Sequence, residues 1–161
     1  MITKEKIVFI GLCFALLAFV SDQLSKFFVF EYAMEHGALT EVTGFFNIVT
    51  AFNKGISFSM FDSTGGWGRV ILIVVACAII VFLLWWMKNE TSRFVRICLG
   101  LIVGGAVGTL VDRVRLGAVY DFLDFHVNAY HWPAFNLADS FICVGALLIV
   151  CHALVCKIKG V

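Results

Sequence analysis

Two aspartates of this sequence, Asp121 and Asp139, differ from Asp22 and Asp112 because neither has a basic residue at helical spacing. Asn136 precedes Asp139 by three residues, so on a helix its amide would share one face with that carboxyl group and orient it. Two carboxyl groups in a site of low dielectric cannot both ionise cheaply, so one keeps its proton and the other stays basic. The basic member takes a proton from water and the protonated member polarises a carbonyl group, which is chemistry suited to hydrolysis. The pattern alone favours two simpler interpretations, a solvated loop acid for Asp121 and a helix N-cap for Asp139.

Two further acids lie inside apolar runs, where a charge costs about 3 kcal/mol or more unless it is paired. Asp22 and Asp112 each lie 15 residues, or about 22 Å of helix, beyond the start of an apolar run. Asp139 lies at a similar depth on a run of the opposite direction, so the three acids are predicted to converge near one membrane surface. Lys26 shares a helical face with Asp22, and Arg113 neighbours Asp112. These charges either pair to hold helices together or contact a substrate, and the sequence leaves both alternatives open.

The composition places these residues in a lipid bilayer. Of the 161 residues, 61% are hydrophobic and 14% are charged, and the mean hydropathy is +0.99. The net charge of +1 offers no basic surface to nucleic acid. Four apolar segments are long enough to cross a membrane, at about 7–30, 68–88, 96–114 and 136–156. The sequence therefore predicts one integral membrane domain, residues 1–161, that is all-α with four transmembrane helices.

The first long connection has the pattern of an extracytoplasmic β structure. Alternating apolar residues, a turn at 53–55 and a resumed strand at 56–61 predict a small β-hairpin or sheet on the outer face between helices 1 and 2, a cradle at about 37–62. The two termini and the 88–96 loop carry most of the lysines and arginines. By the positive-inside rule, both termini are predicted to be cytoplasmic.

Other residues of reactive type give no site. The six cysteines lie inside apolar runs without a C-x-x-C pair, so they are expected to be free thiols in lipid-facing or core positions. The four histidines share no helical face, so no zinc site is predicted. Four glycines of the third span, Gly100, Gly104, Gly105 and Gly108, have the small-x-x-x-small spacing that favours close helix packing.

Five short segments resemble, in order, the motifs of the lipoprotein signal peptidase family, also called signal peptidase II. Residues 22–26 (DQLSK) are similar to D-Q-x-S/T-K, and residues 53–59 (NKGISFS) are similar to N-x-G-A-A/S-F/W. Residues 104–113 (GGAVGTLVDR) resemble G-G-A-x-G-N-x-x-D-R. Residues 119–122 (VYDF) resemble V-x-D-F, and residues 135–140 (FNLADS) match F-N-I/V/L-A-D-A/S in full. With the span count, the resemblance covers essentially the whole chain.

The resemblance implies a function and a site. In that family the aspartates of V-x-D-F and F-N-x-A-D form the catalytic dyad, which carries over to Asp121 and Asp139. It implies a metal-free aspartic endopeptidase that removes the signal peptide of diacylglyceryl-modified prolipoproteins, cutting just before the lipidated cysteine. It further implies the bacterial cytoplasmic (inner) membrane, an active site toward the outer (periplasmic) leaflet, and inhibition by the cyclic peptide globomycin. We expect a monomer surrounded by membrane lipids, with no cofactor. The residues expected to bind substrate or support the site are Asp22, Lys26, Asn53, Gly55, Gly105, Thr109, Asp112, Arg113, Asn136 and Ala138.

Two positions depart from the family pattern, and two other functions stay open. Thr109 stands where asparagine is usual and lacks the paired donor and acceptor of an amide, and Ile56 stands where alanine is usual. A proton-coupled transporter would use the acids as a proton relay, but the charges lie near one surface and no inverted repeat is seen. A noncatalytic assembly subunit would need no carboxyl pair.

Overall fold

Four long helices dominate the computed structural model, which describes residues 4–55 and 67–159. The helices are α1 (Lys4–His36), α2 (Trp67–Asn89), α3 (Arg93–Leu116) and α4 (Leu137–Lys159). Within the described residues, these four helices are long and apolar enough to cross a membrane. The predicted four-helix membrane fold is confirmed, but α1 continues to His36 instead of ending near Phe30.

Helix α3 is the central helix, and its glycines let the neighbouring helices approach its backbone. Half of the residues in its most apolar 18-residue stretch are buried, whereas 17% or fewer are buried in the corresponding stretches of the other three helices. A Cβ atom added at Gly104 would collide with the carbonyl oxygen of Ala15 on α1, and one added at Gly105 would lie 2.5 Å from the carbonyl oxygen of Ala138 on α4. The predicted packing role of these glycines is confirmed.

The helices alternate in direction, so chemically different residues collect at the two ends of the bundle. Gly100 packs against Gly11 and Gly108 packs against Asp22, which makes α1 and α3 parallel. The first turn of α4 packs against the same end of α3 as Asp22. We call this end, where α1 and α3 finish and α4 begins, the polar end. The opposite end holds a cluster of buried apolar side chains: Ala15, Leu83, Met87, Val95, Leu99 and Val103.

A four-stranded antiparallel sheet, in the order β1-β2-β3-β4, adjoins the polar end in the described part of the chain. The strands are β1 (Leu39–Thr43), β2 (Phe46–Asn53), β3 (Val119–Val127) and β4 (Tyr130–His131). The small sheet predicted in the first connection is confirmed, and its hairpin turns between β1 and β2. The strand predicted at 56–61 lies outside the described residues.

The second connection also contributes to this sheet, which the sequence pattern did not predict. Strand β3 pairs with β2 so that Asp121 lies opposite Ala51 and Asp124 opposite Asn47. Residues 119–122 are buried without alternation. A strand covered on both sides lacks the period of two by which strands are predicted. The pairing is nevertheless what places Asp121 on a rigid element.

Candidate active site

Asp121 lies on β3 and is only 3% exposed. Its Oδ1 accepts a hydrogen bond of 2.7 Å from the side-chain amide of Asn136, and the Asn53 side chain also hydrogen-bonds to it. Burial, together with the negative charge of Asp139, raises the pKa of Asp121 to about 6, although the hydrogen bonds from Asn53 and Asn136 act in the opposite direction. The interpretation of Asp121 as a solvated loop acid is therefore wrong.

Asp139 lies in the first turn of α4, where it forms a reciprocal capping pair with Asn136. The backbone N–H of Asn136 donates to Oδ2 of Asp139 at 3.2 Å, and the backbone N–H of Asp139 donates to Oδ1 of Asn136 at 3.0 Å. Asn136 is thus the N-cap of the capping box and Asp139 is its N3 residue, the third residue of the helix, so the interpretation of Asp139 itself as the N-cap is wrong.

A single fully buried residue, Asn136, therefore links the two aspartates. Its side-chain nitrogen donates to Asp121 and also to the carbonyl oxygen of Tyr120 at 3.3 Å. Its backbone N–H donates to the carboxylate of Asp139, and its side-chain oxygen accepts the backbone N–H of Asp139. We expected the Asn136 amide to orient Asp139, but its donor group orients Asp121, 15 residues away in the sequence. The structure brings Asp121 and Asp139 together across one side chain.

The segment between β3 and α4 fixes where Asn136 lies. Phe135 pairs with Leu123 of β3 through two backbone hydrogen bonds, with N···O distances of 2.8 and 3.1 Å. Because Asn136 follows directly, its side chain starts beside the strand that carries Asp121. The position of the N-cap thus depends on sheet pairing as well as on the helix.

A buried charge triad lies beneath the two aspartates. The Lys26 ammonium is 2.7 Å from Oδ2 of Asp22 and 2.7 Å from Oδ2 of Asp112. The expected Asp22–Lys26 contact is confirmed, as is the convergence of Asp22, Asp112 and Asp139 at one end of the bundle. Asp112 forms its ion pair with Lys26 of α1 and not with the adjacent Arg113, because consecutive helical side chains point in different directions. Burial of Asp22, Lys26 and Asp112 favours the stabilising alternative over direct substrate contact.

The two acids of the triad also accept backbone amides next to the paired aspartates. Oδ1 of Asp22 accepts the N–H of Ala138 at 2.9 Å, and Oδ2 of Asp112 accepts the N–H of Tyr120 at 3.3 Å. Gln23 adds a donor to Oδ1 of Asp112 at 3.1 Å. Gln23 was not among the predicted site residues, although its place beside Asp22 in the first motif was a usable signal.

The turn at 53–55 and Arg113 of α3 lie next to each other near Asp121. Gly55 has φ +88° and its N–H donates to Oδ1 of Asn53 at 2.9 Å, so the turn predicted there is present. A Cβ atom at Gly55 would lie 2.6 Å from Cδ1 of Leu72 and 3.1 Å from Nη1 of Arg113. The positive charge of Arg113 acts on both Asp121 and Asp139. The structure therefore places a cation and a tightly packed turn beside the carboxyl pair.

Two residues near the site make contacts that do not reach the paired aspartates. The Thr109 hydroxyl donates back to the carbonyl oxygen of Gly105 in its own helix, at 3.2 Å. Asp124 accepts hydrogen bonds from Asn47 at 2.9 Å and from His131 at 2.9 Å. Burial alone would raise the pKa of Asp124, but the hydrogen bonds from His131 and Asn47 hold it below its ordinary value. Asp124 is thus a satisfied structural acid. In residues 4–55 and 67–159, no three side chains of His, Cys, Asp or Glu are grouped to hold a metal ion.

Comparisons with known proteins find similar sequences and structures. A family model described as signal peptidase (SPase) II matches residues 14–155. A lipoprotein signal peptidase of Aeromonas hydrophila subsp. hydrophila is 47% identical over 138 residues, which cover 84% of this chain and 83% of that protein. A lipoprotein signal peptidase of Ralstonia nicotianae is 42% identical over 130 residues, covering 80% and 75%. A bacterial membrane enzyme solved by the in meso method at 1.9 Å resolution aligns with a TM-score of 0.77 and 27% identity, over 89% of this chain and 92% of that chain.

Proposed function

Because the chain belongs to the signal peptidase II family, we propose that it removes the signal peptide of diacylglyceryl-modified prolipoproteins by cutting just before the lipidated cysteine. Family membership makes it a membrane protease. The observation that supports an aspartic mechanism is the link through Asn136, which holds Asp121 and Asp139 at one site. No cofactor enters this mechanism.

The two carboxyl groups divide the chemistry between them. The ionised member takes a proton from water, whose oxygen attacks the scissile carbonyl carbon, and the protonated member donates a hydrogen bond to the carbonyl oxygen. When the tetrahedral intermediate collapses, the C–N bond breaks and the leaving nitrogen receives a proton from the pair. The raised pKa of Asp121, about 6, supports this scheme, because the pair then keeps a proton well above the pH at which an ordinary aspartate loses it.

The proposed substrate suits the polar end of the bundle. A diacylglyceryl group anchors the cysteine in one leaflet of the membrane, so the peptide bond before that cysteine is held near the surface of the same leaflet. At the opposite end of the bundle, Lys88 lies in the last turn of α2, and Arg93 and Arg96 lie in the first turn of α3. By the positive-inside rule these cations support a cytoplasmic position for that end. The polar end then faces the outer leaflet of the bacterial cytoplasmic membrane, where peptide inhibitors of the globomycin type would also bind. We propose that the protein acts there as a monomer.

A cleavage assay with matched carboxyl-to-amide variants tests the proposal. Purified protein in mixed micelles is given a diacylated prolipoprotein, and the wild type is compared with Asp121→Asn, Asp139→Asn and Asp124→Asn. We expect the first two variants to lose at least about a thousandfold in kcat while remaining folded, because either replacement removes one half of the acid–base pair. Asp124→Asn is the control, since it removes a buried acid of the same strand that lies outside the pair.

Two outcomes would contradict the proposal. Cleavage at the wild-type rate by Asp121→Asn or Asp139→Asn would remove that residue from the pair. Equal cleavage of a precursor that lacks the diacylglyceryl group would contradict the proposed substrate.

A further inference from the structure

Each aspartate of the proposed pair is preceded by a residue whose backbone N–H is held by a buried acid. Ala138 precedes Asp139, and its N–H donates to Asp22 at 2.9 Å. Tyr120 precedes Asp121, and its N–H donates to Asp112 at 3.3 Å. The two acids come from different helices, α1 and α3, and perform the same task one residue before each member of the pair.

Lys26 joins these two anchoring acids. Its ammonium group is 2.7 Å from both carboxylates, and all three side chains are at most 7% exposed. A buried carboxylate without a partner is strongly unfavourable, so Lys26 holds Asp22 and Asp112 in place, and the acids hold the backbone of α4 and β3. The chain of contacts Asp139–Ala138–Asp22–Lys26–Asp112–Tyr120–Asp121 is thus continuous.

We infer that Asp22 and Asp112, coupled by Lys26, are positioning residues that set the separation of Asp121 and Asp139. This inference rests on the proposed function. An error of 1 Å in the placement of reacting groups costs about a hundredfold in rate, so an anchor at the preceding backbone amide has a direct effect on turnover. The same separation sets how strongly the two carboxyl groups repel each other, and thereby the two limbs of the pH profile.

A purely structural ion pair and a positioning device make different predictions. A structural pair affects how much protein folds and its melting temperature, but leaves kcat per folded molecule unchanged. A positioning device lowers kcat and moves the pH limbs while leaving KM nearly constant, because the substrate-binding surface is intact. A third possibility is that the triad acts only through its charge. Two neutral replacements of one acid would then behave alike, whereas positioning through a hydrogen bond requires them to differ.

The decisive pair of variants is Asp22→Asn and Asp22→Leu. Both remove the negative charge and keep a similar shape, but only asparagine offers an oxygen to the N–H of Ala138. We expect Asp22→Leu to lower kcat at least about tenfold below Asp22→Asn, with KM within about twofold, and to bring the two pH limbs closer together. Lys26→Met should show the same kinetic pattern, whereas Asp124→Asn should lower the melting temperature and leave kcat and the pH limbs unchanged.

Several results would overturn the inference. Equal kcat values and pH profiles for Asp22→Asn and Asp22→Leu would show that the oxygen to Ala138 does not matter. If Asp22→Leu does not accumulate, Asp112→Asn and Asp112→Leu test the equivalent hydrogen bond to the N–H of Tyr120 by the same kcat and pH measurements. Equal values for these two variants would likewise overturn the inference. If both leucine variants fail to fold, an Asp22→Asn variant with KM raised and kcat unchanged contradicts positioning, and a lowered kcat with shifted limbs supports it. Retained cleavage by Asp121→Asn would instead refute the proposed function itself.

Discussion

Replacement of Asn136 with alanine tests how one side chain controls both aspartates. The alanine variant loses the 2.7 Å hydrogen bond from the Asn136 amide to Oδ1 of Asp121 and the cap at the N–H of Asp139. It retains the backbone N–H of residue 136, which continues to donate to Oδ2 of Asp139. The change therefore acts mainly on Asp121.

The structure fixes the sign and the size of the expected effect. Burial raises the pKa of Asp121 to about 6, and the Asn136 hydrogen bond opposes this increase because it stabilises the ionised form. A hydrogen bond to a charged group contributes about 1.5–3 kcal/mol, and a tenfold change in protonation corresponds to about 1.4 kcal/mol. Without the donor, the pair should keep its proton to higher pH, and the alkaline limb of activity should move upward by about one to two pH units. Loss of the helix cap should also destabilise the protein by about 1 kcal/mol.

The assay is kcat/KM for a diacylated prolipoprotein between pH 4 and pH 9, with thermal unfolding measured on the same samples. Asn47→Ala is the matched control, because Asn47 is also a buried asparagine that donates to an aspartate of β3, in this case Asp124 at 2.9 Å. The control should lose stability and keep the wild-type pH profile. An unchanged or lowered alkaline limb in Asn136→Ala would refute the reasoning.

Three other predictions follow from the same geometry. Asp121→Asn should raise the melting temperature at pH 7, because a carboxyl whose pKa is raised from 3.8 to about 6 loses up to about 3 kcal/mol of stabilisation as the pH rises through that interval; equal melting temperatures at pH 7 would contradict this. Gly55→Ala should lower activity more than Gly37→Ala, since both glycines have positive φ but only at Gly55 would the new methyl group meet Arg113; equal losses in the cleavage assay would leave backbone strain as the whole cause. Asp124→Asn should remove stability that the wild type has above pH 4 and loses as the pH falls, because the pKa of Asp124 is lowered; thermal unfolding from pH 3 to pH 7 checks this, and an unchanged difference across that range would refute it.

The helices could be predicted because a spanning segment is recognised from length and hydropathy alone. The end of α1 could not, because Glu31, Glu35 and His36 lower the hydropathy without breaking the helix. Strand β3 could not be predicted for a different reason. Its acids at 121 and 124 are three residues apart and lie in different environments, so the sequence shows neither the two-residue period of a strand nor the 3.6-residue period of a helix.

The site residues were predicted more fully than their contacts. Short-range geometry on one helix found the Asp22–Lys26 pair, which spans four residues. The contact from Lys26 to Asp112 joins two helices, and the contact from Asn136 to Asp121 joins a helix start to a strand. Such contacts depend on tertiary packing, which periodicity does not reveal. The family motifs selected residues that the structure brings together, and the structure shows which of them touch.

The capping pair at the start of α4 has a consequence for biosynthesis. The side chain that caps α4 is the same one that donates a hydrogen bond to Asp121, so the start of this helix and the placement of Asp121 depend on one residue. Asp22, Asp112 and Asp121 all leave the ribosome before residue 136, yet none of them can complete the pair until the final segment inserts. On the proposed function, a nascent chain would therefore not cleave neighbouring precursors until α4 has inserted.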